Sequence, residues 1–177
     1  AGLRQLLSRE LGIAPDAIVF GQEANGRPNL VGIEAVSFNL SHSADVAALA
    51  ISRDTRVGVD VEDIREIRSD EIERALSIAE RLELAEAADA LQLETFFRFW
   101  TLKEAFMKGT GLGASLPLHD FDVSPAGPGL LRLKSAPTEP GRWRFDEFVP
   151  KPGIRAALAA RTDDRDLVVQ WRWADFE

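Results

Sequence analysis

The stretch VGVDVE, residues 57–62, constrains the fold more than any other segment of this 177-residue chain. Valine alternates there with glycine or an acid, and side chains at positions i and i+2 of a β-strand share one face. The alternation predicts a strand whose three valines pack on a core. Asp60 and Glu62 would project together from the opposite face, beside Gly58, whose missing side chain predicts room for a ligand.

Two acids on one strand face suggest a cation. Carboxylates about 7 Å apart at their Cα atoms repel each other unless a positive charge lies between them. Mg²⁺ suits this position, because it takes oxygen ligands and keeps several waters and a substrate phosphate in its shell. The chain contains no cysteine, so any metal ligand is oxygen or histidine. The alternative is an edge strand with its polar face in solvent, which a lone D-x-E pattern does not exclude.

A second chemistry-bearing stretch is FWTLKEAFMKGTGLG, residues 99–113. A helix is predicted from about residue 93 to 108, on which Trp100, Glu104 and Lys108 follow one another at i+4 spacing and form one stripe. The alternative for this stripe is a solvated Glu–Lys ion pair. The glycines after it would let backbone approach a ligand closely. The opposite side of the helix carries four apolar residues suited to a core: Phe96, Phe99, Leu102 and Phe106.

A third stretch, FNLSHS at residues 38–43, predicts a strand that runs into a turn. The turn would present Ser41, His42 and Ser43, whose hydroxyl and imidazole groups, with free backbone N–H groups, could hold a phosphate. A nucleophilic serine is the competing interpretation, but no G-x-S-x-G motif surrounds either serine. The other histidine, His119, is assigned to structure or surface.

The rest of the chain predicts an α+β fold. A short amphipathic helix is expected at 2–11, strands at 17–20, 36–40 and 46–52, and charged helical sequence at 70–91 with a capping box formed by Ser77 and Glu80. Four segments of the tail are expected as antiparallel strands: GLLRLKS, RWRFDEFV, IRAALAAR and DLVVQWRW. Residues 47–59 and 156–168 share a pattern at constant offset, which predicts two similar halves with a cleft between them.

Net charge and hydropathy limit the classes of partner expected for this chain. The formal net charge is −8 with a sequence pI near 4.9, so the overall field repels nucleic acid and anionic membranes. No stretch approaches the roughly 18 apolar residues of a membrane span. We therefore expect a soluble, cytoplasmic protein that binds neither nucleic acid nor membrane.

Four motifs in order carry a family resemblance: GRP (26–28), FNLSHS (38–43), GVDVE (58–62) and FWTLKEAFMKGTGLG (99–113). Together they resemble the signature of the 4'-phosphopantetheinyl transferases, specifically the larger monomeric type that serves polyketide and nonribosomal peptide synthetases. The resemblance implies two similar α+β halves related by a pseudo-twofold axis, with coenzyme A in the cleft. It implies transfer of 4'-phosphopantetheine from coenzyme A to a serine of an acyl or peptidyl carrier protein, with release of adenosine 3',5'-bisphosphate.

The resemblance also assigns residues. It implies a Mg²⁺ site formed by Asp60, Glu62 and Glu104. It also matches Lys108 to the family's phosphate-contacting lysine. From the chemistry, we expect Glu104 and Lys108 to be the catalytic pair: Glu104, directly or through a metal-bound water, would accept the proton of the carrier serine, unless it serves only as a metal ligand, and Lys108 would stabilise or protonate the departing phosphate. The residues expected to bind coenzyme A are Arg27, Ser41, His42 and Lys108.

Against relatives of this type, the first half is expected to be incomplete. Residues 1–54 would form that shortened N-terminal half, and residues 55–177 the C-terminal half that carries the metal site. The alternative function is a coenzyme A- or carrier-binding module with impaired catalysis.

Overall fold

The fold is α+β, as the sequence predicts. The computed structural model describes residues 2–125, 131–133, 143–162 and 167–174. The helices are α1 (Gly2–Leu11), α2 (Ser69–Ala75), α3 (Ile78–Glu86) and α4 (Gln92–Thr110). The strands are β1 (Phe20–Gln22), β2 (Pro28–Leu30), β3 (Val36–Ser43), β4 (Val46–Arg53), β5 (Val57–Asp63), β6 (Val123–Pro125), β7 (Leu131–Leu133), β8 (Trp143–Phe148) and β9 (Ile154–Arg161).

All strand pairing is antiparallel. β1 pairs with β2, β3 with β4, and β6 with β7, while a three-stranded sheet has the order β5-β9-β8. Helix α4 lies across this sheet and contacts both β5 and β9. The four apolar residues predicted to form the buried side of α4 are each 1 % exposed, in one cluster with residues of β8 and β9. Their burial confirms the predicted core face.

Gly58 brings β5 and α4 into backbone contact. A Cβ atom at Gly58 would lie 2.1 Å from the carbonyl oxygen of Ala105 and 2.3 Å from the amide nitrogen of Gly109. The prediction that Gly58 leaves room for a ligand is therefore wrong, because helix backbone fills that space. The glycines after Lys108 also serve packing and capping: Gly109 abuts the Trp143 ring, and Gly111 caps α4 with φ +75°.

A ladder of side chains joins β3 to β5. Alternate polar residues of β3 accept hydrogen bonds from alternate backbone N–H groups of β5, each from the residue twenty positions later in the chain. The pairs are Ser37–Val57 (3.2 Å), Asn39–Val59 (2.8 Å), Ser41–Val61 (3.4 Å) and Ser43–Asp63 (3.0 Å). β5 thus has a strand on one side and a side-chain ladder on the other, so it is not a solvated edge.

The first part of the chain has its own apolar cluster, in which α1 covers the β3–β4 hairpin. The predicted strand at 17–20 is wrong in its bounds, because a 3-10 turn occupies Pro15–Ala17 and β1 begins at Phe20. The capping box of Ser77 and Glu80 is present at the start of α3. Among the described residues, no helix is long and apolar enough to cross a membrane.

The prediction of a last strand in DLVVQWRW is wrong for residues 167–173, which have no regular structure, and its first residue, Asp166, lies outside the described residues. Side-chain contacts hold this segment in place of a backbone ladder: the Trp171 ring stacks on Phe148 at 4.8 Å and its Nε1 donates to Asp146 at 2.7 Å. Residues 163–166 of the internal repeat lie outside the described residues. Division into two similar halves at residue 54 stays a prediction.

Candidate active site

Asp60 is a buried acid held by two donors. Its side chain projects from the middle of β5, and the residue is 1 % exposed. Its Oδ1 accepts hydrogen bonds from Lys108 Nζ at 2.5 Å and from Ser41 Oγ at 2.9 Å, and Lys108 Nζ also donates to Ser41 Oγ at 3.0 Å. Its Oδ2 is buried and has no hydrogen-bond partner among the described residues. Oδ1 therefore already accepts two hydrogen bonds, whereas Oδ2 accepts none from the described residues.

The predicted stripe of α4 faces this acid. Trp100 Nε1 donates to Glu62 Oε1 at 3.3 Å at one end of the stripe, and Lys108 reaches Asp60 at the other. Glu104 lies between them on the helix and accepts no hydrogen bond from any described residue. The side chains spaced i+4 on α4 thus face the acids spaced i+2 on β5. This arrangement confirms the predicted stripe.

Three carboxyl groups in this region resist ionisation. Burial raises the pKa of Glu104 to about 7, and the charge of Asp60 adds to the effect. Burial and then the charge of Asp60 raise the pKa of Glu62. Burial also raises the pKa of Asp60, and it outweighs the opposing effect of Lys108. All three groups lose hydration, and Glu62 and Glu104 also sense the charge of Asp60, so added positive charge would stabilise all of their ionised forms.

The donor set fits a hard divalent cation, because the facing groups are carboxylate oxygens and one of them, Asp60 Oδ2, is buried without a hydrogen bond from any residue the structure describes. Within the described ranges, however, no three His, Cys, Asp or Glu side chains form a ready-made metal-binding group. The ammonium of Lys108 is instead the cation on Asp60. The assignment of Asp60, Glu62 and Glu104 as metal ligands stays a prediction, and it requires side chains to move.

Arg27 has a structural role in this geometry, and its expected contact with coenzyme A stays a prediction. Nη1 donates to the carbonyl oxygens of Lys108 (2.7 Å) and Gly109 (3.0 Å). Nη2 donates to the carbonyl oxygens of Phe38 and Val57 and to Ser37 Oγ. Nε lies 3.8 Å from a Glu23 carboxylate oxygen. Since every guanidinium nitrogen already has a protein partner, Arg27 clamps the end of α4 to β3 and β5.

The serine–histidine stretch also differs from its prediction. Residues 41–43 belong to β3 itself, and the turn follows them. Ser41 is buried and its hydroxyl is hydrogen-bonded to Asp60 and Lys108, and its expected contact with coenzyme A stays a prediction. His42 is exposed and, by strand alternation, lies on the face of β3 away from Asp60. His42 therefore remains a predicted phosphate contact outside this cluster.

Sequence reasoning missed the polar ladder between β3 and β5. Its signal is present in the chain, since SFNLSHS has polar residues at every second position and VGVDVED follows at a matching spacing. What the sequence does not reveal is that side chains of one strand pair with the backbone of the other.

A sequence profile described as the 4'-phosphopantetheinyl transferase superfamily matches residues 56–162, which include β5, α4 and β9. The chain belongs to this superfamily. The transferase HetI of Nostoc is 33 % identical over 89 % of this chain and 66 % of its own length, and psf-1 of Bacillus pumilus is 36 % identical over 74 % and 57 %. This superfamily member therefore spans less than two thirds of the length of these curated relatives.

Solved structures support the same fold. A holo-(acyl-carrier-protein) synthase from Bacillus anthracis, solved with CoA (3',5'-ADP), aligns with a TM-score of 0.52 and 18 % identity over 59 % of this chain and 93 % of its own. The synthase from Neisseria meningitidis aligns with a TM-score of 0.50 and 15 % identity over 60 % and 97 %. These structural alignments show a shared fold and leave the chemistry to the site itself.

Proposed function

We propose that this chain transfers 4'-phosphopantetheine from coenzyme A to a serine of an acyl or peptidyl carrier protein, with Mg²⁺, and releases adenosine 3',5'-bisphosphate. The proposal assigns it to the larger type that serves polyketide and nonribosomal peptide synthetases. The proposal includes a monomer in the cytoplasm, without nucleic acid or membrane as a partner.

The observation that carries the proposal is the convergence of the acids of β5 with the stripe of α4. Asp60 and Glu62 contact Lys108 and Trp100, and Glu104 lies between those two positions with a pKa raised to about 7. A carboxyl group that titrates near neutral pH is suited to accept a proton from a serine hydroxyl. These residues also lie inside the segment that matches the superfamily.

Each residue has a role in the proposed reaction. Asp60, Glu62 and Glu104 would hold the Mg²⁺ ion, which when bound supplies positive charge beside the diphosphate. Glu104 accepts the proton of the carrier serine at its carboxylate, and Lys108 places its ammonium on the departing phosphate oxygens. Ser41 orients the Asp60 carboxylate, and Arg27 fixes the last turn of α4, from which Lys108 projects.

The test is the mass of an apo carrier protein incubated with this chain, coenzyme A and Mg²⁺. We expect one phosphopantetheine to be added per carrier, with the gain abolished in Asp60→Asn and Glu104→Gln. Asp16→Asn, an exposed acid in the turn after α1, is the matched control and should retain activity. An unchanged carrier mass, when a reference transferase modifies the same carrier in a parallel reaction, would refute the proposed transferase activity.

A second candidate, a module that binds coenzyme A or a carrier without turnover, is favoured by one observation. Lys108 and Asp60 pair directly, so the metal ligands are not assembled. This candidate predicts binding of coenzyme A by calorimetry together with an unmodified carrier. The same pair of measurements therefore separates the two candidates.

A further inference from the structure

The pairing of Asp60 with Lys108 places a protein cation where the proposed function needs a metal. Asp60 lies on the central part of β5, and its side chain is 2 % exposed. A buried carboxylate without a cation is strongly disfavoured, since ionised groups lose their hydration on burial. Lys108 supplies that charge from the neighbouring helix at 2.5 Å. The acid and the lysine are therefore mutual counter-ions in the metal-free chain.

Only one of these partners can leave. Asp60 is fixed by the backbone of β5, which is bonded to β9 on one side and to the β3 ladder on the other. The Lys108 side chain is 28 % exposed, stands in the last turn of α4 and has a flexible four-carbon stem. A rotation of its side-chain torsions can take the ammonium into solvent without moving either element.

The open oxygen of Asp60 gives a second cation a place to bind. Oδ2 is buried and has no hydrogen-bond partner in the described part of the chain, whereas Oδ1 accepts from both Lys108 and Ser41. A divalent ion on this carboxylate would lie beside the ammonium, and like charges at such short range repel strongly in a site with little water. Ser41 is neutral and can keep its hydrogen bond to Oδ1 when the ammonium leaves.

We propose that Lys108 is the built-in counter-cation of Asp60, and that its ammonium leaves Asp60 when a divalent cation binds and becomes free for a phosphate oxygen. The inference rests on the proposed function and adds a coupling to it. By thermodynamic linkage, a phosphate group that draws Lys108 away from Asp60 strengthens cation binding, and the bound cation strengthens phosphate binding by the same factor. Lys108 thus makes the binding of the metal and the binding of the diphosphate cooperative.

The test is chemical labelling of lysine amines in the whole chain, with and without MgCl₂, read by peptide mass spectrometry. We expect Lys108 to label slowly in EDTA and several-fold faster with Mg²⁺. Lys103, which is fully buried, should stay unlabelled in both conditions, and Lys151, which is exposed, should label in both. In Asp60→Asn, Lys108 should label fast with or without Mg²⁺.

Calorimetric titration of MgCl₂ into the metal-free chain and into Lys108→Met separates this inference from the proposed function. We expect the variant to bind Mg²⁺ several-fold more tightly, because the competing ammonium is gone. Two results would refute the displacement of Lys108 without refuting the metal site. One is Mg²⁺ binding by the native chain with unchanged Lys108 labelling. The other is Mg²⁺ binding by Lys108→Met that is equal to or weaker than that of the native chain. No binding by either protein would overturn both. Slow labelling of Lys108 in Asp60→Asn would show that the ion pair does not exist in solution.

Discussion

Replacing Glu104 by Gln should stabilise the metal-free protein at high pH. The pKa of Glu104 is raised from 4.5 to about 7, chiefly by burial and then by the charge of Asp60. The folded state therefore binds this proton more tightly than the unfolded chain. Its contribution to the free energy of unfolding is fully present below about pH 4.5 and is lost as pH rises to about 7. Glutamine has the shape of the protonated acid and no charge to lose.

The magnitude follows from the size of the shift. Each pKa unit corresponds to about 1.4 kcal/mol, so the change from 4.5 to about 7 sets an upper bound of roughly 3 kcal/mol on the ionisation cost. Glu104 is only partly buried, and solvent screening reduces this figure. We expect Glu104→Gln to gain about 1 to 2.5 kcal/mol over the native chain between about pH 5 and about pH 8.

The assay is urea unfolding followed by tryptophan fluorescence in EDTA, at both pH values, for the native chain and the variant. The quantity to compare is the difference in unfolding free energy between the two proteins, since Asp60 and Glu62 titrate in both of them. Addition of saturating Mg²⁺ should reverse the order, because the native chain gains a ligand that the variant binds less well.

Glu83→Gln is the matched control, since Glu83 is exposed on α3. Its stability difference from the native chain should be the same at both pH values. If Glu104→Gln behaves like this control, or loses stability as pH rises, Glu104 does not carry a raised pKa and the proton-acceptor role loses its physical basis.

Three further substitutions test the framework of the site by urea unfolding. Gly58→Ala should lower the free energy of unfolding by about 3 kcal/mol or prevent folding, because its Cβ would overlap the α4 backbone. The control Gly12→Ala meets no atom and should lower it by only about 1–2 kcal/mol, because of the left-handed φ. Equal losses in the two variants would contradict the close contact of Gly58 with α4. Lys103→Met should cost about 3–5 kcal/mol by leaving the buried Glu80 side chain without its ion-pair partner, and a cost below about 1 kcal/mol would contradict the buried Lys103–Glu80 pair. Arg27→Lys should cost about 2 kcal/mol or more, since an ammonium cannot replace a guanidinium that bonds three elements at once; a stable variant defective only in coenzyme A binding would instead support the predicted coenzyme A contact of Arg27.

Periodicity predicted the parts of the fold that depend on one element at a time. The i+2 alternation in β5 and the i+4 stripe of α4 are local properties, so the sequence revealed which side chains of each element share a face. The Ser77–Glu80 capping box is local as well, and it was predicted correctly. Asp60 could be nominated from the β5 pattern and Glu104 and Lys108 from the α4 stripe, and only the family resemblance joined them in one expected site.

Contacts between elements lay beyond that reasoning. Gly58 was interpreted as space for a ligand because its neighbour on α4 is some fifty residues away in the chain, and only packing shows that helix backbone fills the space. Arg27 was assigned to coenzyme A by motif, whereas its partners are carbonyl oxygens from α4, β3 and β5. The segment after β9 looks like a strand in its apolar pattern, yet Trp171 holds it by ring stacking.

The central claim is that acids from β5 and α4 hold one divalent ion. The most direct measurement is the anomalous scattering of Mn²⁺, used in place of Mg²⁺, in crystals of the chain grown with coenzyme A. We expect a single peak about 2.0–2.4 Å from carboxylate oxygens of Asp60 and Glu104, with the Lys108 ammonium turned toward the diphosphate. Bound coenzyme A with no peak between these acids, or with Lys108 still on Asp60, would contradict the account.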